Sequence, residues 1–482
     1  MSKLEGLDPE RVFYYFEKLT KIPRCSHNEK EVSDYIKSVG EELGFETIQD
    51  DVSNIIIKKP ASKGYENAEG VIIQGHMDMV CEKENDSAHD FQKDPIDLQI
   101  NDDFISGNKT TLGADNGIAV AMALAILEDD NLEHPDLEIL ITTTEETDMT
   151  GALGLSEDVL EGSRLLNVDS EEEGFLVTGS AGGELIKINL PIEYEDVSDY
   201  IGFNIEVDGL RGGHSGMEIH ENRANGNKVL NSILKEIKEE VDIRLVSITG
   251  GSKDNAIPRH AEAKIGVNSE DVSKFNEQIE KVKEDIINKY KSEESDISIE
   301  VKDRGSVSEV LDEEVFESLV YLLEEIPSGV YTNLEEDSDI VESSSNLAII
   351  DIGKDEIVIQ VSIRSSAQDV MKKLREDILD KVNKTNAKYS IGGEYPEWEF
   401  NPESSLREIA LEIYKEMYNE KMESTVIHAG LECGVFLKKY PDLDIISFGP
   451  DILDAHIPTE RLSIPSTKRV YEYLIKLLKN LK

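Results

Sequence analysis

The feature that most constrains this chain is a short charged motif, Gly75-His76-Met77-Asp78, which directly follows the apolar residues 71–74. We predict a strand over the apolar residues, and residues two apart on an extended segment point to the same side. His76 and Asp78 therefore face the same way at the end of this strand. A histidine that binds a metal ion usually has a carboxylate nearby that fixes its ring, so the pair indicates a metal ligand and its supporting group.

Further acidic and histidine residues follow apolar stretches in the same manner, at strand ends or in the loops after them. They are Asp115, Glu145, Glu146, Asp169 and His456. Together with His76 they supply carboxylate and imidazole ligands for two metal ions, with one carboxylate to spare. Ligands of this kind suit zinc, and also manganese or cobalt.

Each of these residues has an ordinary structural alternative when it is considered alone. His76 could be a strand-end histidine and His456 a loop histidine, and Asp115 could cap the apolar helix that follows it. The acidic residues at 145, 146 and 169 could be solvated surface charge. What is specific is their joint occurrence, in this order and in these strand contexts.

The composition is strongly acidic, with 101 Asp and Glu against 50 Lys and Arg and a net charge of −51. Nucleic acid and anionic membranes are therefore poor partners. The charge is spread through the chain rather than gathered in a tail, which is typical of a solvated acidic surface. A sharper interpretation is adaptation to a salt-rich cytoplasm, where screening relieves the repulsion.

The cysteines and the apolar segments indicate the cellular setting. Cys25, Cys81 and Cys433 predict no disulfide framework, because an odd count argues against a disulfide-stapled secreted domain. The first residues lack a basic and apolar signal segment, and the longest apolar run, residues 118–127, is too short to span a bilayer. We therefore expect a cytoplasmic protein.

The alternation of strands and helices predicts the domain organisation. Over residues 1–183 apolar strands alternate with helices, which indicates a mostly parallel α/β sheet whose strand ends carry the candidate ligands. Residues 184–398 have a different character, with strands and two helices in each of two similar halves, 184–300 and 305–395. We expect these residues to form an inserted α+β domain with a duplicated unit. Residues 399–482 return to the first pattern and complete the first domain.

These motifs resemble those of the M20 family of dinuclear metallopeptidases, and within it the aminoacyl-histidine dipeptidase branch, also called Xaa-His or cytosol non-specific dipeptidases. The resemblance covers almost the whole chain. The segments that carry it are GHMDMV at 75–80, TLGADNG at 111–117, TEET at 144–147, DSEEEG at 169–174, GGHSG at 212–216, NAIPR at 255–259 and HAGLECG at 428–434.

The resemblance implies the fold of a metallopeptidase catalytic domain with an inserted lid domain, and a role for each candidate residue. The implied ligands are His76 and Asp169 for one metal ion, Glu146 and His456 for the second, and Asp115 as the bridge between them. Asp78 would support His76, and Glu145 would be the general base. The peptide bond between Asp115 and Asn116 would be cis. Two such ions lower the pKa of a bridging water and polarise a carbonyl, and Glu145 would have to be buried to act as a base.

The resemblance also assigns residues of the lid. His214 would stabilise the oxyanion, and Arg364 would clamp the C-terminal carboxylate of the substrate. Asn255 and Gly430 would be further substrate contacts. From the residues alone, His214 could be a surface-turn histidine and Arg364 a strand-edge charge. Many relatives carry an arginine on the strand after the Asn-x-x-Pro motif, and residues 263–268 contain none, so we expect Arg364 to fill that role.

The implied function is hydrolysis of unblocked dipeptides, either Xaa-His dipeptides or a broad range, by a water that bridges two divalent ions. Zinc is the first expectation, with manganese or cobalt as alternatives. A tripeptidase or an N-acyl amino acid deacylase of the same family is the alternative chemistry, and a non-catalytic peptide-binding homologue is the alternative of another class. Small peptides are the expected partners. A homodimer is one of the oligomeric states left open, and His214 could act within its own chain or across such a dimer.

Overall fold

The computed structural model describes residues 2–334 and 340–482. The chain divides into two compact units. The first unit comprises Met1–Gly179, Trp398–Val426 and Leu431–Lys482, and the second comprises Ser180–Glu397 and Ile427–Gly430. The short segment 427–430 also belongs to the second unit, where the N–H of Ala181 donates to the carbonyl oxygens of Ile427 and Ala429.

The N-terminal part of the first unit alternates helices and strands as the apolar spacing predicts. Its elements are α1 (Glu10–Leu19), α2 (Lys30–Glu42), β1 (Glu46–Gln49), β2 (Ile55–Lys59), β3 (Val71–His76), β4 (Leu98–Asn101), β5 (Phe104–Gly107), α3 (Ala114–Glu128), β6 (Leu137–Thr142), α4 (Thr150–Gly154), β7 (Arg164–Asn167) and β8 (Phe175–Ser180). In α1 the buried side chains recur at helical spacing, which lays one face of the helix on the core.

The second unit contains a long sheet and the helices that cover it. Its elements are β9 (Gly182–Pro191), β10 (Tyr194–Asp208), β11 (Gly213–His214), a 3₁₀ turn (Ile219–Glu221), α5 (Gly226–Glu240), β12 (Ile243–Gly250), β13 (Ala256–Ile257), β14 (Ala261–Asn268), α6 (Val272–Tyr290), β15 (Ser298–Leu311), α7 (Glu313–Glu325), β16 (Gly329–Asn333), β17 (Val341–Ile352), β18 (Glu356–Ser365), α8 (Gln368–Val382) and β19 (Lys388–Tyr395).

The C-terminal part returns to the first unit. Its elements are α9 (Ser405–Tyr418), β20 (Glu423–Ile427), α10 (Glu432–Lys439), β21 (Asp444–Ser447), β22 (Ile452–Leu453), β23 (Arg461–Ser463) and α11 (Ile464–Asn480). Strand β23 pairs with β5, so the segment that carries His456 is joined by a small sheet to the segment before α3.

The main sheet of the first unit has the strand order β1-β2-β6-β3-β7-β21-β8-β20. Its central strands β6, β3, β7 and β21 are parallel, whereas β1 and β2 pair antiparallel at one edge. The predicted α/β fold is therefore confirmed, with a mixed sheet that is parallel at its centre. Parallel strands end at the same edge of a sheet, so the residues after β3, β6 and β7 meet there.

Helix α3 is the core of the first unit. Its side chains from Ala114 to Leu127 are buried, and the helix is apolar on all sides, as expected of an element enclosed by others. It packs against α1 and β3. A Cβ added at Gly75 would lie 2.8 Å from the Cβ of Ala119, so the glycine of the first motif permits this close approach.

The sheet of the second unit contains the expected duplication. One half consists of β10, α5, β12, β14, α6 and β15, and the other of β9, α7, β17, β18, α8 and β19. The strand order is β15-β10-β14-β12 followed by β17-β18-β9-β19. When the four strands of each half are numbered along the chain, both halves have the same order from the outer edge inward: fourth, first, third, second. The expected halves, 184–300 and 305–395, need one correction. Strand β9 completes the later half, because it pairs with β18 and β19.

The cysteines differ from the sequence-based expectation. Cys25 and Cys81 form a disulfide with their Cα atoms 5.7 Å apart, and Cys433 is free and buried. An odd count of cysteines leaves one unpaired but does not prevent the other two from pairing. A short parallel bridge between Cys25 and Met79 brings the two segments together, a contact between distant residues that composition does not reveal.

None of the helices in the described part of the chain has an apolar stretch long enough to cross a membrane.

Candidate active site

The carboxyl ends of β3, β6 and β7 gather the candidate ligands of the first unit. His76 is the last residue of β3, Glu145 and Glu146 follow β6, and Asp169 follows β7. Asp115 lies at the start of α3, where it and Asn116 depart from helical geometry and are joined by a cis peptide bond, as the resemblance implies. Parallel strands thus bring to one edge residues that are far apart in the sequence.

Three groups of side chains in the described part of the chain are compact enough to hold a metal ion: two share Asp115, and the third consists of His76, Glu145 and Glu146. In the first, His76 Nε2 lies 3.3 Å from Asp115 Oδ1 and 3.4 Å from Asp169 Oδ1. In the second, His456 Nε2 lies 2.9 Å from both Asp115 Oδ2 and Glu146 Oε2. The potential ligand atoms within each group are all within 4.8 Å of one another. Asp115 belongs to the first two groups and gives one carboxylate oxygen to each.

Asp78 connects the first group to the loop after β6. Its Oδ1 lies 3.3 Å from His76 Nδ1 and accepts the N–H of Glu145 at 3.1 Å. Its Oδ2 accepts the N–H of Glu146 at 3.2 Å and the hydroxyl of Ser26 at 2.8 Å. The buried carboxylate therefore orients the imidazole of His76 and the backbone of two acidic residues at the same time.

The histidines of the cluster are surrounded by negative charge. Burial disfavours the charged form of His76, but the carboxylates of Asp169, Asp115 and Asp78 outweigh burial and raise its pKa well above the usual range. Burial likewise opposes protonation of His456, and Asp115 and Glu146 raise its pKa to about 12. The cluster thus favours positive charge at both imidazoles.

The carboxylates respond in different ways to the same surroundings. Burial raises the pKa of Glu146 to about 7, with the negative charge of Asp115 adding to the effect. Burial also raises the pKa of Asp169. Asp115 is the exception, because its contacts with His456 and His76 outweigh burial and lower its pKa. Asp115 is therefore the group of the cluster best suited to remain ionised between two cations.

Glu145 belongs to neither of the groups that share Asp115 but to the third, with His76 and Glu146. Its Oε2 is 3.9 Å from His76 Nε2, and 13% of its side chain is exposed. Burial raises its pKa well above the usual range; His76 opposes the shift, while Asp169 and Glu146 add to it. A carboxyl group with a raised pKa can both accept and return a proton near neutral pH.

The chemistry of the donor set fits two divalent cations. Glu146 Oε1 and Asp169 Oδ1 are buried and accept no hydrogen bond among the described residues, so each offers a lone pair. Unpaired buried carboxylate oxygens are costly, and a cation relieves that cost. Carboxylates and imidazoles are also the ligands that zinc, manganese and cobalt accept.

Buried residues that the sequence did not single out surround the cluster. The guanidinium of Arg24 donates to the carbonyl oxygens of Met77 at 2.9 Å and Asp78 at 3.1 Å, and burial lowers its pKa to about 10. Glu432 accepts from Thr142 Oγ1 and from Gln74 Nε2, both at 2.6 Å. Their partners come together only on folding; Glu432 stands in the HAGLECG motif, whereas Arg24 has no local signal in the sequence.

In the second unit, His214 lies on the short strand β11, which pairs with β13. Its Nδ1 accepts the N–H of Gly216 at 3.3 Å and of Met217 at 3.0 Å. Two donors at Nδ1 require the ring proton of the neutral form to be on Nε2. The next residue, Ser215, donates its N–H to the carbonyl of Asn255 at 2.8 Å, so the structure brings His214 and Asn255 together.

Arg364 is buried on β18, with only 8% of the residue exposed. Its Nη1 donates to the hydroxyl of Tyr395 at 2.5 Å, and its Nε has no hydrogen-bond partner among the described residues. A Cβ added at Gly430 would lie 2.6 Å from the ring of Tyr395. Gly430 therefore leaves room for Tyr395, which holds Arg364. The place of Gly430 in the HAGLECG motif does not disclose this role.

His428 is a further functional candidate of the second unit that was not among the predicted residues. It is 8% exposed, and its Nε2 lies 2.7 Å from Ser344 Oγ. Burial lowers its pKa to about 3, and the charges of Arg364 and His214 add to the shift. His428 is therefore neutral near pH 7. Its place in the HAGLECG motif was the available signal.

The predicted site residues thus fall into two sets. The set of the first unit brings together Asp78, Glu145 and the five predicted ligands. The set of the second unit contains His214, Asn255, Arg364 and Gly430, with His428 near both His214 and Arg364.

Comparisons with known proteins match almost the whole chain to one peptidase family. The sequence model of Peptidase family M20/M25/M40 matches residues 72–480. The chain is 38% identical to a protein of Escherichia coli K12 named cytosol non-specific dipeptidase, over 100% of this chain and 99% of the relative.

Solved structures give the same result. The aminoacylhistidine dipeptidase of Vibrio alginolyticus superposes with a TM-score of 0.88 and 34% identity, covering 99% of this chain and 98% of that one. The aminopeptidase PepT of Bacillus cereus superposes with a TM-score of 0.58 at 14% identity, covering 98% of this chain and 99% of that one. The second likeness concerns the fold alone.

Proposed function

Because this chain belongs to peptidase family M20/M25/M40, a family of metal-dependent peptide hydrolases, we propose that it uses two divalent metal ions to hydrolyse unblocked dipeptides. The observation that supports the proposal most is the position of Asp115, which offers one carboxylate oxygen to each of two ligand groups. His76 and Asp169 would hold one ion with Asp115, and Glu146 and His456 would hold the other. Two bound cations supply Lewis-acid chemistry, which acidifies water and polarises a carbonyl.

Glu145 is the proton carrier in this proposal. Its carboxylate takes a proton from the attacking water and returns it to the nitrogen of the leaving amine. The raised pKa of Glu145 suits both steps. Asp78 holds the backbone of Glu145 and the ring of His76, so the base and the first ligand keep a fixed relation.

We assign recognition of the peptide to the second unit. Arg364 is buried beside Tyr395 and has an unpaired Nε, and its planar fork suits the C-terminal carboxylate of a peptide. His214 carries its proton on Nε2 in the neutral form and would donate to the oxyanion. His428 remains neutral nearby and adds no charge that would compete with the guanidinium.

The excess of negative charge favours a substrate with a free amine. When all of them are ionised, six carboxylates carry more negative charge than two divalent ions neutralise: Asp78, Asp115, Glu145, Glu146, Asp169 and the adjacent Glu171. The pKa of Glu171 is raised to about 8 by burial and by the charge of Asp115, so a cation close to it would favour its ionised form. A substrate ammonium supplies such a cation, whereas an N-acyl group does not.

A turnover screen tests the proposal. Metal-reconstituted protein is offered free dipeptides, including Xaa-His, together with the same dipeptides N-acetylated and with tripeptides. We expect the free dipeptides to be cleaved fastest. Faster cleavage of acetylated substrates would make the protein a deacylase, and faster cleavage of tripeptides a tripeptidase. No cleavage of any of them, with both ions bound, would favour a peptide-binding homologue.

The metal and the cellular location are finer parts of the same proposal. We propose zinc as the physiological ion, with manganese or cobalt as functional substitutes, and elemental analysis of protein purified without added metal tests this. We propose the cytoplasm as the location, in keeping with the name of the Escherichia coli relative. Disulfides are rare in reducing compartments. Alkylation of Cys25 and Cys81 in intact cells would therefore support a reducing cytoplasm, and protection of both by their disulfide would indicate an oxidising compartment.

A further inference from the structure

We propose that Glu460 is a positioning residue of the metal centre: its carboxylate holds the backbone of the bridging ligand Asp115 and ties it to the segment that carries His456. This inference rests on the proposed metal-binding function. Glu460 is 2% exposed. It lies four residues after His456, outside both ligand groups, and its side chain reaches the loop before α3.

The carboxylate of Glu460 accepts hydrogen bonds from the backbone that leads into Asp115. Its Oε2 accepts the N–H groups of Leu112 at 2.7 Å and Gly113 at 3.0 Å. Its Oε1 accepts those of Ala114 at 2.7 Å and Asp115 at 3.4 Å. The N-cap residue of α3 makes no side-chain capping bond, so a carboxylate from a distant segment satisfies the donors that usually need a cap.

The same residue is anchored to the segment of His456. The N–H of Glu460 donates to the carbonyl of Ile457 at 3.0 Å, which closes a turn directly after the ligand. The next residue begins β23, which pairs with β5. Glu460 therefore links the two partners of the second ligand group, Asp115 and His456, whose side chains are 2.9 Å apart.

Arg24 holds the opposite side of the same loop. Its guanidinium donates to the carbonyl of Gly113 and to those of Met77 and Asp78. The N–H of Gly113 thus donates to Glu460, and its carbonyl oxygen accepts from Arg24. The loop before Asp115 is fixed on both sides by buried charge. The position of Asp115 between the two ligand groups therefore depends on Arg24 and Glu460, which lie outside both of them.

A glutamine at this position tests the inference. Glu460→Gln removes the charge and turns a donor toward backbone N–H groups, so Asp115 should lose its fixed position. Loss of an outer partner of a metal ligand typically costs about 10–100-fold in metal affinity. The matched control is Glu294→Gln, because Glu294 is also fully buried and accepts two backbone N–H groups, from Arg211 and Ala224, in the second unit.

The probe is Mn²⁺ alone, titrated into metal-free protein and followed by calorimetry and electron paramagnetic resonance. In the parent protein we expect two ions with an exchange-coupled spectrum. Glu460→Gln should weaken binding about 10–100-fold and reduce the coupled fraction, while Glu294→Gln should retain both properties. Thermal unfolding with and without Mn²⁺ separates a positioning role of Glu460 from a purely structural one. A purely structural role would lower the Tm of metal-free Glu460→Gln, as of Glu294→Gln, but would leave the rise in Tm on adding Mn²⁺ intact.

The outcomes are distinct. Parent-like affinity and coupling in Glu460→Gln would overturn the inference. Absence of a coupled pair in the parent protein would instead contradict the proposed two-metal function. If Glu460→Gln does not fold, Glu460→Asp decides: weaker Mn²⁺ binding than in Glu294→Asp supports the inference, and equal binding overturns it.

Discussion

Glu145 and Glu146 are neighbours in the sequence, yet the structure gives their carboxylates different surroundings. Glu146 Oε2 lies 2.9 Å from His456 in a group that contains Asp115, whereas Glu145 Oε2 lies 3.9 Å from His76 and belongs only to the group without Asp115. Asp78 accepts the backbone N–H groups of both Glu145 and Glu146 and thereby fixes the different positions of their side chains. At the residue scale, one peptide unit separates the proposed ligand from the proposed base.

Replacing the base should leave the metal ions bound. We expect Glu145→Gln to lower kcat by about 10²–10⁴-fold, the usual contribution of a general base, because the amide cannot take a proton. Metal analysis should still find two ions. The control is Glu157→Gln at an exposed position, which should retain full activity. Near-normal turnover in Glu145→Gln would assign the base to another residue.

The two lid residues should have different kinetic signatures. His214→Ala should depress kcat far more than it raises KM, because the oxyanion exists only in the transition state; loss of one donor costs about 10²–10³-fold. Arg364→Ala should mainly raise KM for free dipeptides, because the substrate carboxylate is charged throughout. Steady-state kinetics of both variants provide the comparison. A pure KM effect in His214→Ala would make it a binding residue.

Mixing two inactive variants decides whether His214 acts within its chain. If the histidine serves the site of a partner, a mixture of His214→Ala and Glu145→Gln should recover activity through mixed dimers. No recovery under conditions where subunits exchange would assign His214 to its own chain.

The sequence pointed to residues with distinctive chemistry, Asp78 beside His76 among them, and missed the buried residues that support them from distant segments. His76, Asp115 and Glu146 stand in short motifs after apolar strands, so pattern and resemblance pointed to them. Arg24 and Glu460 act on backbone groups far away in the chain, and no local pattern records such a contact. Their burial is a property of the folded unit.

At the scale of elements, periodicity predicted the alternation of helices and strands in the first unit, because apolar spacing reflects which face is buried. The pairing of strands was harder to predict. Strand β9 joins the later half of the second unit through β18 and β19, which the order along the chain conceals. The contact between the segments of Cys25 and Cys81 was missed for the same reason.

The disulfide should stabilise the first unit. Cys25 and Cys81 are 56 residues apart, and closing a loop of this length contributes about 4 kcal/mol in the chain-entropy account. A thiol reductant should therefore lower the Tm of the parent protein. The double variant Cys25→Ser/Cys81→Ser should start at the lower value and show no response to reductant. A parent Tm unaffected by complete reduction, verified by alkylation, would contradict this role.

At the scale of the whole molecule, the dominant property is the net charge of −51. Many of the acidic side chains are exposed, and like charges repel one another in the folded chain. Added salt shortens the screening length to about 3 Å at 1 M. Composition alone predicted this property, because total charge does not depend on the fold.

Molar salt should therefore raise both stability and activity. We expect the Tm to increase between dilute and molar potassium chloride, because screening weakens repulsion more in the compact state than in the unfolded chain. Thermal unfolding at constant pH and metal content measures the change, with turnover followed in the same buffers. A Tm that does not rise would refute the role of screening.

The central claim is that two metal ions held around Asp115 are required for peptide hydrolysis. The most direct measurement is a metal titration of chelator-treated protein, with cleavage of an unblocked dipeptide recorded against equivalents of zinc, manganese or cobalt. We predict no hydrolysis in the stripped protein and full activity once two equivalents are bound. A fully active preparation that contains no bound transition metal would contradict the claim.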